Sequence, residues 1–228
     1  MNKVAFLKNI ALFAELSEQQ LNRIAQDTMT RRYKQGEVIF REGDPGQVLY
    51  IIQSGQIRIF VNGMDGSETS VILFGRPGEL FGELSIIDGL PRSATAVALE
   101  PTVLLILGRE SFRRHMRQMP QLAMNFMQVL SKRVRYNTQQ IDGFASLTIT
   151  QRLARKLLEL AHDYGRVEET GVFIDMHLTQ TTLAGMLGAT RERVNRCLSD
   201  FRKSEWITTS QGYITVLDPE ALRTAVSG

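Results

Sequence analysis

At 228 residues the chain can hold one large domain or two modest ones with an ample core, and 43% hydrophobic and 22% charged residues is an ordinary globular composition. No apolar run approaches the roughly 18–20 residues of a membrane span, and the N-terminus lacks the apolar core and cleavage site of a signal peptide, so a cytoplasmic, non-membrane protein is expected. A net charge of +3 is too small to specify a nucleic-acid partner, and the single cysteine, Cys197, excludes internal disulfides and a cysteine-rich metal site.

The chain opens on a helix: Ser17 and Gln20 have the spacing of a capping box, with Leu21 and Ile24 on the inner face. From about Tyr33 to Leu107 the pattern changes to short apolar strands divided by glycines: Val38–Phe40, Val48–Ile52, Ile57–Val61, Ser70–Phe74 and Thr95–Leu107, with Gly63–Gly66 a hairpin-turn candidate. Strands at such short spacing predict a β-sandwich or barrel. A long helix is expected from about Pro120 to Phe144. In it Ala123, Met127, Leu130, Val134, Asn137, Ile141 and Phe144 recur at spacings of four and three, the seam of a coiled coil or of a core-packed amphipathic helix. Between Ser111 and Gln140 there is no acidic residue, while Arg113, Arg114, Arg117, Lys132, Arg133 and Arg135 are present.

A third region begins near Leu147. Thr150 is the expected cap of a helix with Leu153, Leu157, Leu158 and Ala161 inward, followed by a strand at Val172–Asp175. Thr179–Gly188 and the segment from Thr190 to Phe201 then form two helices, with Gly188 as the left-handed stop of the first and Thr190 the cap of the second. Leu183, Leu187, Val194 and Leu198 would pack them together as a helix-turn-helix. Trp206–Thr209 and Tyr213–Val216, joined through Ser210–Gly212, supply a two-stranded wing. Cys197 falls in the apolar stripe of the second helix and reads as a small buried residue.

The stretch from Phe81 to Ala98 carries the chemistry. Gly82 lets the backbone approach an anion, and the amides of Glu83, Leu84 and Ser85 can point at phosphate oxygens from a short helical turn. Arg92 offers a planar fork of donors and Ser93 a hydroxyl. Glu83 would repel a phosphate, so its carboxylate makes sense as the acceptor of a sugar hydroxyl. The set fits a ribose phosphate, and a cyclic one if a single anionic group is bound.

This stretch closely resembles the phosphate-binding cassette of cyclic-nucleotide-binding domains, and Gly36–Ile57 upstream is similar to the same domains. With the helix-turn-helix, the resemblance extends over nearly the whole chain to the Crp/Fnr family of transcription regulators, those responsive to cyclic AMP in particular. It implies an α+β architecture: a β-roll over residues 1–115, a dimerisation helix and hinge over 116–146, and a winged helix-turn-helix over 147–228. By the resemblance, Arg92 and Ser93 take the cyclic phosphate and Glu83 the ribose 2′-hydroxyl. Arg133 is placed to pair with Glu83 or the purine. The base is read near Asn137 and Thr138, one of them from a partner subunit, and Ile59, Leu73 and Phe81 form the apolar wall. Relatives often carry Thr-Ser or Thr-Asn at 137–138; Asn-Thr departs from that but retains hydrogen-bonding capacity for an adenine amino group.

On the second helix of the pair, Arg191 can donate twice to guanine and Glu192 can accept from cytosine, while Arg196 reaches a further guanine or a phosphate. Thr179, Gln180 and Thr190 suit backbone phosphates. For Arg193 and Asn195 a plain surface role and a DNA role stay open, and Asn195 is counted with the DNA-facing set. The resemblance implies a homodimer paired through the long helix on a near-palindromic, TGTGA-like site in double-stranded DNA, with RNA polymerase as a further partner. Cyclic AMP is the expected effector and no cofactor is expected. An iron–sulfur sensor on the same scaffold would need several cysteines, and a haem sensor would need axial ligands, whereas His115, His162 and His177 all lie outside the cassette. A regulatory subunit acting through protein contacts would not need Arg191, Glu192 and Arg196 on one helix. The chain has no Gly-x-x-x-x-Gly-Lys loop, no metal-ligand pair and no nucleophile–base set, so an enzyme is not expected.

Overall fold

The computed structural model describes residues 2–63 and 68–227, so most of the Gly63–Gly66 turn candidate lies outside the described residues. The chain divides into two compact units, Met1–Val61 with Leu73–Asn137 and Asn62–Ile72 with Thr138–Gly228.

The first unit opens with α1 (Lys3–Lys8), a 3-10 turn at Ala11–Phe13 and α2 (Glu18–Asp27). The expected capping box is formed in both directions: Gln20 N donates to Ser17 Oγ at 3.3 Å and Ser17 N to Gln20 Oε1 at 2.8 Å. The strands follow as β1 (Thr28–Tyr33), β2 (Val38–Phe40), β3 (Val48–Ser54), β4 (Ile57–Asn62), β5 (Glu68–Phe74) and β6 (Leu80–Phe81). After α3 (Glu83–Asp88) come β7 (Thr95–Ala98) and β8 (Thr102–Gly108). One sheet has the order β1-β8-β3-β6 and the other β2-β7-β4-β5, the expected roll.

Two strand expectations change. The single run Thr95–Leu107 is broken between Ala98 and Thr102, where Pro101 lacks the amide a ladder needs. Strand β1 went unread because only its two ends are buried, leaving no alternation; its pairing with β8 from Thr28↔Leu107 to Tyr33↔Thr102 makes it a strand. The core joins Leu7, Phe13, Leu21 and Ile24 to Leu49, Ile51, Leu105 and Leu107, and to Phe112, Leu122 and Phe126. Phe112 comes from α4 (Arg109–Gln118), and Leu122 and Phe126 from α5 (Pro120–Ser146). Along the seam of α5, Met127, Val134 and Ile141 are exposed by 50%, 64% and 69%, while Ala123 and Leu130 are half-buried, so the apolar stripe of the isolated chain is open at every seventh residue.

In the second unit α6 (Ile149–Tyr164) begins two residues earlier than expected. Thr148 is its cap, through a capping box with Gln151, and Thr150 lies inside the first turn, its hydroxyl 3.4 Å from Cys197 Sγ. Cys197 is half-exposed rather than buried, because it faces the polar start of α6 instead of the apolar seam. The strands β9 (Gly165–Glu168) and β10 (Gly171–Ile174) precede α7 (Gln180–Leu187) and α8 (Arg191–Lys203), and β11 (Ile207–Ser210), β12 (Tyr213–Val216) and α9 (Pro219–Ser227) follow. The wing is larger than its expected two strands: β10 pairs with β12, giving a four-stranded sheet of order β11-β12-β10-β9. Its turn has Gln211 at φ 49° and Gly212 at φ 84°, the two positive φ values of a tight two-residue hairpin.

Within this unit two arginines of α6 fasten the end of α5 and the end of α7. Arg155 Nη2 donates to Gln139 O at 2.7 Å, and Arg152 Nη1 donates to Leu187 O at 2.6 Å while lying over the Phe144 ring. Lys156, 4% exposed, pairs with Glu159 at 2.5 Å.

Candidate nucleotide cassette and DNA-reading helix

The cassette is built on α3. Gly82 is its N-cap at φ 74°, a left-handed conformation that glycine adopts without cost, and it directs the chain from β6 into the helix. The amides of Glu83, Leu84 and Ser85 therefore occupy the first turn, where a helix leaves its N–H groups without internal acceptors. Ser85 is buried and Leu84 is 48% exposed.

Arg92 is 4% exposed. Its Nη1 donates to Gly82 O at 2.6 Å and its Nη2 to Val48 O at 2.8 Å. The guanidinium lies 4.3 Å from the Phe40 ring centre and 5.5 Å from that of Tyr50. These rings continue into a stack, with Phe40–Tyr50 at 5.6 Å and Tyr50–Phe81 at 5.0 Å. Burial pulls the pKa of Arg92 below its ordinary value, against the opposing influence of Tyr50 and Glu83. The main chain of Arg92 is clamped as well, its N donating to Asp44 O and Gly43 N donating to its carbonyl, both at 2.9 Å. This joins the two motif segments, Gly36–Ile57 and Phe81–Ala98, into one structure. Ser93, next along, is exposed.

Glu83 is 5% exposed and its Oε1 meets Arg133 Nη1 of α5 at 2.5 Å. Arg133 also donates to Leu80 O and sits 5.2 Å from the Phe74 ring centre. A carboxylate of the cassette is thus tied to the long helix by a largely buried, charge-assisted bond. Leu73 and Phe81 are buried and Ile59 is half-buried, while Asn137 and Thr138 are exposed on α5.

Four residues of this site were not singled out in the sequence: Phe40, Gly46, Val48 and Tyr50. Phe40 and Tyr50 carry ordinary strand alternation, and Val48 acts through its carbonyl, which no side-chain pattern reports. Gly46 did have a signal in its glycine spacing. A Cβ there would lie 2.0 Å from Ser85 Cβ and 3.3 Å from Arg92 Cζ, so only glycine permits the 43–47 loop to close on α3.

On the other unit Thr179 and Thr190 are the N-caps of α7 and α8. Thr179 Oγ1 accepts from Thr182 N at 3.0 Å, and Thr190 Oγ1 accepts from Arg193 N at 3.4 Å. Gly188 closes α7 at φ 56° as expected, and Leu183, Leu187, Val194 and Leu198 are buried between the helices. Arg191, Glu192, Asn195 and Arg196 are all exposed, and their spacing puts them on one face of α8; Arg193 is also exposed. Gln180 does not stand free at its helix start: its Nε2 donates to Asn195 Oδ1 at 3.1 Å.

Comparison with known proteins agrees with both halves. Residues 30–119 match the cyclic nucleotide-binding domain and residues 151–225 match the Crp-like helix-turn-helix domain. The chain is a member of the Crp/Fnr family. It is 32% identical to the CRP-like cAMP-activated global transcriptional regulator of Mycobacterium tuberculosis, over 83% of this chain and 84% of that one. It is also 31% identical to the global nitrogen regulator of Synechococcus elongatus, over 93% and 94%. Among solved structures, the catabolite activator protein of Thermus thermophilus is similar at 33% identity and a TM-score of 0.54, covering 96% of this chain and 99% of that one. Proteins of this Crp/Fnr type are transcription regulators and not enzymes, and this chain carries their nucleotide-binding and helix-turn-helix domains. No described helix is long and apolar enough to cross a membrane.

Proposed function

We propose that this Crp/Fnr regulator is a cytoplasmic homodimer that binds cyclic AMP in the Gly82–Ser93 cassette and, when loaded, grips a near-palindromic TGTGA-like site. The observation that carries the reading is the Glu83–Arg133 pair, because it couples the group that would meet the ribose 2′-hydroxyl to the helix that would join the subunits. Arg92 and Ser93, with the amides of Glu83, Leu84 and Ser85, take the cyclic phosphate. Ile59, Leu73 and Phe81 wall the sugar and base, and Asn137 and Thr138 read the adenine edge, one of them from the partner subunit. No cofactor enters this scheme.

Each dimer places two copies of α8 in successive major grooves, about 34 Å apart. Arg191 pairs with guanine, Glu192 with cytosine and Arg196 with a further guanine or a phosphate. Thr179 and Thr190, at the starts of α7 and α8, meet the DNA backbone, and RNA polymerase is the downstream partner. Moving such an equilibrium from mostly off to mostly on takes about 5.5 kcal/mol of differential ligand binding, roughly 2.7 kcal/mol for each of two ligands. One or two charge-assisted hydrogen bonds of about 1.5–3 kcal/mol made only in the active state are enough. Arg133 and Asn137, on the connecting helix, are the groups to supply them.

Fluorescence anisotropy on a TGTGA palindrome, with cyclic AMP, cyclic GMP or neither, tests this. Tight binding that requires cyclic AMP is the expected result. Equal binding in all three arms would replace it by a regulator of this scaffold with another effector or none, the reading that the similarity to a nitrogen regulator favours. Absence of DNA binding in all arms would leave a nucleotide-binding subunit acting through protein contacts.

A further inference from the structure

We propose that Gln180 and Asn195 form a two-residue adenine reader, in which Gln180 fixes the Asn195 amide and Asn195 meets the base. The inference rests on the DNA reading above and adds to it a base identity and a positioning residue.

Gln180 is the first residue of α7 and Asn195 lies one turn into α8, so the contact joins the start of one helix to the reading face of the other. The burial of Leu183 and Leu187 against Val194 and Leu198 sets the distance between those helices, and at that distance Gln180 Nε2 reaches Asn195 Oδ1 at 3.1 Å. Both side chains are on the surface, where an amide–amide bond competes with water and adds little to folding. Its consequence is orientation. A carboxamide oxygen has two lone pairs; Gln180 takes one, which holds the plane of the Asn195 amide and leaves one lone pair beside the two Nδ2 hydrogens.

An adjacent donor and acceptor in one plane is the complement of adenine, which presents the N7 acceptor and N6 amino donor side by side in the major groove. Guanine presents two acceptors there, and cytosine and thymine each present a single hydrogen-bonding group. Asn195 shares its face of α8 with Arg191, Glu192 and Arg196. Four residues of helix rise carry it about 6 Å beyond Arg191, so it meets a different base pair from that residue. An unfixed Asn would have to give up its side-chain rotation on meeting the base; Gln180 removes that freedom beforehand.

The test is selection on a duplex library with both half-sites randomised, at saturating cyclic AMP, for the native chain and for N195A, N195D, Q180A and R191A. The native chain should enrich adenine at one position of each half-site. N195A should lower that enrichment about tenfold and leave the guanine read by Arg191 in place, while R191A does the reverse. N195D, an acceptor without a donor, should move the preference at that position from adenine to cytosine, and Q180A should weaken the adenine preference severalfold with the others intact. The inference is overturned if N195A and N195D select the same bases as the native chain while R191A still loses its guanine. Uniform loss of affinity on every sequence would also overturn it, making the residue a phosphate contact. A native chain that binds DNA but enriches no sequence would bring down base reading by α8 altogether, and the inference with it.

Discussion

Arg92 directs two of a guanidinium's five donors at main-chain carbonyls, Gly82 O and Val48 O, and lies against Phe40 and Tyr50. Its Nε is buried without a hydrogen-bond partner among the described residues. The fork therefore holds the main chain of Gly82 and Val48 together and leaves three of its five N–H donors outside those two bonds. A lysine has one ammonium and cannot span both carbonyls, so Arg92→Lys should weaken cyclic AMP binding at least about tenfold, the equivalent of ~1.4 kcal/mol. Calorimetry that found unchanged affinity would remove Arg92 from the site. Glu83 has a sharper test. If its carboxylate meets the 2′-hydroxyl, native protein should bind 2′-deoxy cyclic AMP more weakly than cyclic AMP, and E83Q should narrow that difference. In the other unit, burial alone would raise the Glu159 carboxyl, but the charge of Lys156 and then the bonds from Lys156 and Arg155 outweigh it and hold the pKa below the usual value. A depressed folded pKa contributes stability that is complete above the unfolded carboxylate value of about 4.3 and fades as the pH falls from there through the lower folded value. Thermal unfolding of native protein and E159Q between pH 7 and pH 3 should converge toward the acid end; curves that stay parallel would show that the pair contributes nothing to folding.

Elements were legible where a local signal sufficed. The Ser17 capping box, the Thr190 cap, the Gly188 stop and the hairpin connection expected over Ser210–Gly212 are all legible in a few adjacent residues, because each is closed by bonds within a turn of itself. The cap of α6 was misread although Thr148 and Gln151 hold the same signature as Ser17 and Gln20; two threonines compete there, and only the glutamine three residues on decides between them. Strand β1 and the joining of β10 to β12 were not legible, since their pairing comes from residues distant in the chain. Gly46 shows the same limit at the site. Its glycine is readable, but the reason for it is the Ser85 side chain beneath. Gly46→Ala should therefore spread the 43–47 loop from α3 and lower nucleotide affinity while far-UV circular dichroism keeps its native shape. Retained affinity would mean that the loop moves aside without consequence.

For the whole molecule the deciding feature is the open seam of α5. Met127, Val134 and Ile141 are exposed at heptad spacing on a helix whose other side, through Leu122 and Phe126, is locked in the core. The proposed second copy would cover this face, since a heptad stripe with a polar residue such as Asn137 suits a paired helix. Val134→Glu with Ile141→Glu should convert a dimer to a monomer in light scattering and weaken binding to palindromic DNA far more than to a single half-site. A dimer that survives both changes would require another interface. Local patterns alone disclosed the nucleotide-binding and helix-turn-helix domains and their order, because these are written in periodicity, caps, and residues close together in the chain. Packing across the fold was needed to set Arg92 on the carbonyls of Gly82 and Val48, to bring Arg133 to Glu83 where the resemblance left Glu83 or the purine open, and to lean Gln180 on Asn195. Those contacts join segments that approach only when the sheets close and the helices pack, and no local pattern encodes a distance between them.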